Sequence, residues 1–424
     1  MKTHTYNYYT RSQALAANYV WFDYLSYLHR LQTSSFASYH RHFRRGFHQP
    51  IYLTLPIVIQ FIYHTVTMKI TTVGITILND QILSLTTCTQ LYVYPIKALR
   101  GIKLKSARIG PQGIAHDRTF MLFQVSEPDG ELKKMQVDSH PQCALFEQEF
   151  SGGNISVRYH DPENQDQDEQ PLVIPLIVDT ATLAKINVNL HGSAPSSAYS
   201  MGSPYEDWFT ARFGSPIRLV YIGDGKRAVL GDTLPPKKHQ QTTQNGKGGW
   251  LSSLTSYVTG RGQEGKPWIT FTDVAPLLVT SESSLHDVSA RLPADQPMPM
   301  YKFRPNIVVD GQGEEAWAED LWAELTFNNK HKLLLTGNCV RCVSLNVDYE
   351  TGKPAVGELG SVLKKLMKDR RVDTGSKWSP VFGRYAFPAV MQDSQGASFE
   401  LRVGDEVEVT KRNAERTVWD WPGL

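Results

Sequence analysis

The residues best equipped for chemistry are Cys339 and Cys342, which stand three apart in the run C-V-R-C. That spacing suits three different tasks. It is half of a structural zinc site, but the other half needs a second CxxC or a spaced pair of histidines. Cys88 and Cys143 lie roughly 200 residues or more upstream and lack that spacing. It also suits a redox dithiol, although such pairs usually sit at a helix N-terminus in a βαβ setting and the flanks here read as strands. The third reading is a buried structural pair, and the motif alone does not choose among them. Four cysteines so unevenly spread make no disulfide framework, which fits a reducing compartment. No GxxxxGK[ST] loop, GxGxxG turn, HExxH or GxSxG is present. The histidines fall mostly near the N-terminus and in scattered loops, which argues against a His-rich metal site.

The elements that must position these cysteines are mostly short strands. TQLYVYPIK alternates polar and apolar residues until Pro95 ends it, and LKSARIG and RTFMLFQV follow across turns at Gly110, Gly113 and Gly130. GGNISVRYH and QPLVIPLIV flank an acidic loop. EDWFTARFG places Trp208, Phe209 and Phe213 on one helical face with Gly214 as its stop, and PIRLVYI reads as the next strand. A second set follows in ITFTDVAPLLVTS, FRPNIVVD, HKLLLTGN and VRCVSLNVD, with LRVGDEVEVT closing the series. Helices are expected over 283–292 and 362–368.

Residues 223–267 are rich in Gly, Lys, Gln and Thr and read as a flexible insertion. Residues 1–67 hold one acid, Asp23, against Lys2 and five arginines, the composition of an organelle transit peptide. Their apolar run, Ile51 to Val66, is interrupted by Pro56, Gln60 and His64, and it falls short of the roughly 20 residues a spanning helix needs. Met68 offers a second start. The formal charge of +2 argues against a coat for nucleic acid or anionic membrane, so any basic site must be local.

Separated segments share the order and spacing of one family. YPIKALRG and GIAHDRTFML resemble the N-terminal MOSC-associated barrel; FRPNIVV, CVRCVSLNVDYETG, SPVFGRYA and VGDEV resemble the MOSC domain. The likeness runs from about Thr89 to Val409 and is greatest to the amidoxime-reducing MOSC proteins of mitochondria and related bacterial reductases. It implies a β-rich α+β chain in which an N-terminal β-barrel domain (88–222) packs with a C-terminal MOSC β-barrel domain (268–410). The extension and the insertion lie outside it.

The resemblance also implies a mononuclear molybdenum held by a pterin dithiolene with a phosphate tail. Cys342, not Cys339, would be the thiolate ligand and the catalytic residue, since a soft metal centre accepts one more sulfur readily. Lys97, Arg118, Arg304 and Arg341 occupy the family's cofactor-contact positions, and their charges suit a phosphate. Each would ordinarily be a surface charge; Lys97 and Arg304 are less ordinary because they sit within or beside apolar runs. Asn306 would hydrogen-bond the pterin edge, and Asp273 to Ala275 would offer backbone contacts. Ala98 and Val340 stand where many relatives carry Ser, which removes two hydroxyl donors. The implied reaction is two-electron reduction of an N-hydroxylated substrate such as an amidoxime. Electrons would come from a b-type cytochrome and its NADH-dependent reductase, at the mitochondrial outer membrane, or in the cytoplasm if translation starts at Met68. Two alternatives compete. One is a non-catalytic carrier or sulfur-relay protein, like the module that follows a pyridoxal-phosphate domain in molybdenum cofactor sulfurases, although too few residues precede it here for that domain. The other is a β-barrel binding module with a structural CxxC.

Overall fold

A computed structural model describes residues 85–164, 170–191, 196–231, 233–235, 267–392 and 398–420. The 1–67 extension, Met68 and most of the 223–267 insertion lie outside the described residues.

Seven strands close into a barrel: β1 (Leu85–Val93), β2 (Leu277–Ser281), β3 (Ile307–Val309), β4 (Trp322–Phe327), β5 (His331–Val340), β6 (Val381–Pro388) and β7 (Glu406–Arg412). Around the wall the order is β3, β2, β6, β5, β4, β7, β1 and back to β3, and every pair is antiparallel except β2 with β3. Closure leaves these strands no unpaired edge. Alternate side chains fill the interior, among them Leu91, Val93, Val279, Ile307, Trp322, Leu325, Leu335 and Val407. The stave β1 comes from the N-terminal part of the chain yet pairs Cys88 with Val309 and Thr86 with Val407. Ser106–Gly110 likewise pairs with Phe399–Arg402.

The rest of the N-terminal half is antiparallel. Lys185–Val188, Ser196–Ser200, Ile217–Tyr221, Phe120–Val125 and Leu132–Lys134 form one sheet, and Phe146–Ser151, Asn154–Tyr159 and Leu172–Pro175 form another. Phe120, Leu122, Phe146, Ile155, Val157 and Leu219 belong to one core. The expected aromatic helix is there as α1 (Tyr205–Phe213), and its Phe213 ring stacks on Phe146 at 4.9 Å. Gly214, at φ +68°, ends it in the left-handed conformation that glycine adopts most easily. The other expected helices appear as α2 (Glu282–Ala290) and α3 (Val362–Leu366).

One expected strand is absent as such. VRCVSLNVD was read as continuous, but β5 stops at Val340 and Val343–Asn346 is a turn of 3-10 helix. The Arg341 N–H still donates to Pro380 O, but Pro380 has no N–H to return, so the ladder ends there and the chain turns away. Cys342 is left as the extended residue ahead of the turn, outside the barrel wall.

Candidate active site

Where the barrel meets the N-terminal half, a cleft of about 840 Å³, counting the space open at its mouth, brings together every residue singled out from the sequence. Lys97, Arg118, Asp273, Arg304, Asn306, Arg341 and Cys342 all line it, and Cys339 lies in its wall. Cys342 is exposed and its Sγ lies 3.2 Å from Ser344 Oγ, whereas Cys339 is buried. The cleft walls nonetheless raise the Cys342 thiol above its ordinary pKa, against the pull of Ser344.

Tyr94 organises the basic wall. It is 1% exposed, its hydroxyl donates to Pro305 O at 3.0 Å, and its N–H donates to Asp117 Oδ1 at 2.8 Å. The guanidinium carbons of Arg118 and Arg304 each lie 4.5 Å from its ring centre, the geometry of cation–π attraction. Gly101 lets the ring lie there, because a Cβ at that position would come within 2.5 Å of it. Arg118 also pairs with Asp117, and Arg304 donates to Leu99 O at 2.9 Å. Burial works against the Arg118 charge, but Asp117, Tyr94 and Asp273 together outweigh it and the pKa rises. Ala98, Arg118 and Arg304, all in the wall, have φ of +75°, +49° and +53°. Left-handed backbone costs a residue with a Cβ about 1–2 kcal/mol, and such strain concentrates at functional sites.

Asn306 differs from expectation. Its Oδ1 accepts from Leu278 N and Arg118, and its Nδ2 donates to Tyr92 O and Asp117 Oδ2. Those four bonds use the amide's two donors and two acceptor sites, so it braces β1, β2 and Asp117 and has no hydrogen left to offer a ligand. Asp273 differs too, because its side chain is the anchor. Its Oδ1 accepts from Lys97 at 2.5 Å and from His191 Nε2 at 2.9 Å, while Lys134 lies 3.2 Å from His191 Nδ1. Burial opposes the Asp273 charge, but Lys97 and His191 hold its carboxyl well below the usual range. Burial pushes the Lys97 ammonium down to about 8, with Asp273 resisting. Arg341 donates through three nitrogens to Phe303 O and Phe382 O, which fixes its guanidinium against the wall.

Sequence reasoning missed Tyr94 as the centre of the arginine pair, and it missed His191 and Arg227. Buried Arg227 donates to Thr270 O and Thr272 O and so holds the loop that carries Asp273. Its one outward signal is an arginine just ahead of the short apolar run Ala228–Leu230, near the start of the Gly- and Lys-rich stretch.

The lining cations Lys97, Arg118, Arg304 and Arg341 outnumber the lining acids Asp138 and Asp273. A deep cationic wall with an exposed thiol beside it can hold an anionic group and a soft metal together.

Residues 85–216 match the MOSC N-terminal beta barrel domain and residues 266–408 match the MOSC domain. Mitochondrial amidoxime reducing component 2 of Homo sapiens is 34% identical over 330 residues, 76% of this chain and 82% of that protein. Mitochondrial amidoxime-reducing component 1 of Mus musculus is 32% identical over 330 residues, 76% and 81% of the two chains. The human component 1 is 26% identical over 330 residues, 76% and 82%.

Proposed function

Because the chain belongs to the MOSC family, we propose that it is a molybdenum-cofactor-dependent reductase of N-hydroxylated compounds, with Cys342 as the metal's protein ligand. One observation carries the reading: an exposed thiol and a cationic wall share a single cleft. The donor set fits the group. Arg118, Arg304 and Arg341 would hold the anionic pterin tail, their planar forks being suited to phosphate oxygens. Phe303, Ala275, Leu277 and Leu278 give the flat ring apolar surface.

When bound, the metal would supply a centre that accepts and returns two electrons. The chain's own residues do the remaining work. Cys342 gives up its proton on ligation, so loading is favoured as pH rises. Lys97 is held by Asp273 and Phe271 O, so it places positive charge in the wall without reaching across it. The overall change is RC(=NOH)NH2 + 2e− + 2H+ → RC(=NH)NH2 + H2O, with electrons supplied by a separate protein. A b-type cytochrome with its NADH-dependent reductase is the donor we propose.

The test is metal and pterin content in a host that makes the cofactor, with X-ray absorption to detect a protein sulfur on the metal. Cys342→Ser is expected to abolish that signal and benzamidoxime reduction, while Cys339→Ser keeps most of both. Equal loss in the two variants points instead to a paired-cysteine site, and zinc in place of molybdenum points to a structural module.

A further inference from the structure

The cleft is not basic throughout. Lys97 and Arg118 are 8% exposed or less, while Arg304 and Arg341 are half-buried. Cys342 and Asp138 are exposed, and both line the same cleft, Cys342 from the barrel and Asp138 from the segment Gln136–Asp138 of the N-terminal half. The two carboxylates of the lining differ. Asp273 is tied to Lys97 and His191, whereas Asp138 makes no hydrogen bond or ion pair with any described residue. His140, the nearest histidine in sequence, is turned to Ser139 Oγ at 3.0 Å and Gln124 Oε1 at 3.3 Å, so it does not neutralise Asp138.

We infer that Asp138 selects substrates carrying a positive charge, pairing with a cationic group while the N–O bond faces Cys342. The inference rests on the reductase reading above and narrows its substrate class. In the loaded protein the arginines are taken up by the anionic pterin tail, which leaves Asp138 as the unpaired charge of the lining and a cationic group as its complement. An ammonium hydrogen-bonded to a free carboxylate gains a charge-assisted bond, and a neutral group of equal size gains none. A carboxylate-bearing substrate meets like charge at the mouth and is disfavoured.

The experiment compares 4-(aminomethyl)benzamidoxime with 4-ethylbenzamidoxime, nearly equal in shape but differing by one charge, on cofactor-loaded full-length protein with a chemical electron donor. The KM of the ammonium compound is expected to be about fivefold lower than that of the ethyl compound, as befits a partly solvent-screened pair. In Asp138→Asn the ratio of the two KM values is expected to fall towards one. A ratio that is near one in the wild type, or unchanged by the substitution, overturns the inference. Loaded protein that reduces neither compound defeats the reductase reading instead. Calorimetric titration with 4-methylbenzylamine, which carries the ammonium and no second charge, then decides Asp138 separately: weaker binding to Asp138→Asn supports the cation site, and equal binding removes it.

Discussion

Lys97 and Asp273 face one another inside the cleft, so the charge offered to an anion comes chiefly from the arginines. Arg304 is the sharpest probe of that division. It sits in left-handed backbone, braces Tyr94 with its guanidinium face, and binds Leu99 O. Arg304→Ala should lower pterin per chain by about tenfold under limiting cofactor, the effect of one charge-assisted hydrogen bond worth about 1.5–3 kcal/mol. Pterin quantified after oxidation checks this, and unchanged occupancy would take Arg304 out of the site. Lys97 and Arg304 could be picked out in the sequence because a charge within an apolar run demands a partner. The partners themselves could not. Tyr94 looks like any strand tyrosine until Arg304, far along the chain, is laid on its ring, and His191 acquires a role only when Asp273 arrives beside it.

Elements follow the same logic at larger size. Alternation revealed most strands, and an aromatic face with a glycine stop revealed α1, since burial on one side is a local demand. VRCVSLNVD misled because Val343, Leu345 and Val347 alternate with Cys342, Ser344 and Asn346 as in a half-buried strand. The break is made by Pro380, which accepts from Arg341 across the sheet but has no N–H to donate back, and no pattern local to Cys342 encodes that partner. Pairing partners were equally hidden, and β1 is the clearest case. A chain that starts at Gly101 lacks this stave, so β3 and β7 gain unpaired edges and Val309 and Val407 lose their neighbours. Such a chain is expected to aggregate or to lose cooperative thermal unfolding, whereas a start at Met68 preserves both. Scanning calorimetry of the two chains separates the outcomes.

For the whole molecule, no helix among the described residues is long and apolar enough to cross a membrane. Residues 1–67, with one acid against Lys2 and five arginines, have the composition of a transit peptide, and an organelle address is the expected outcome. N-terminal sequencing of the natural protein is expected to find this segment present or trimmed within the organelle fraction. A protein beginning at Met68 and recovered from the cytosol would refute that address.

The stave β1 also sets an order of events. It is among the first strands to leave the ribosome, while β7, one of its two neighbours in the closed wall, is among the last. Until β7 is made the cylinder stays open between β1 and β4. A ligand that needs the closed cylinder must therefore wait for a chain made at least as far as Arg412.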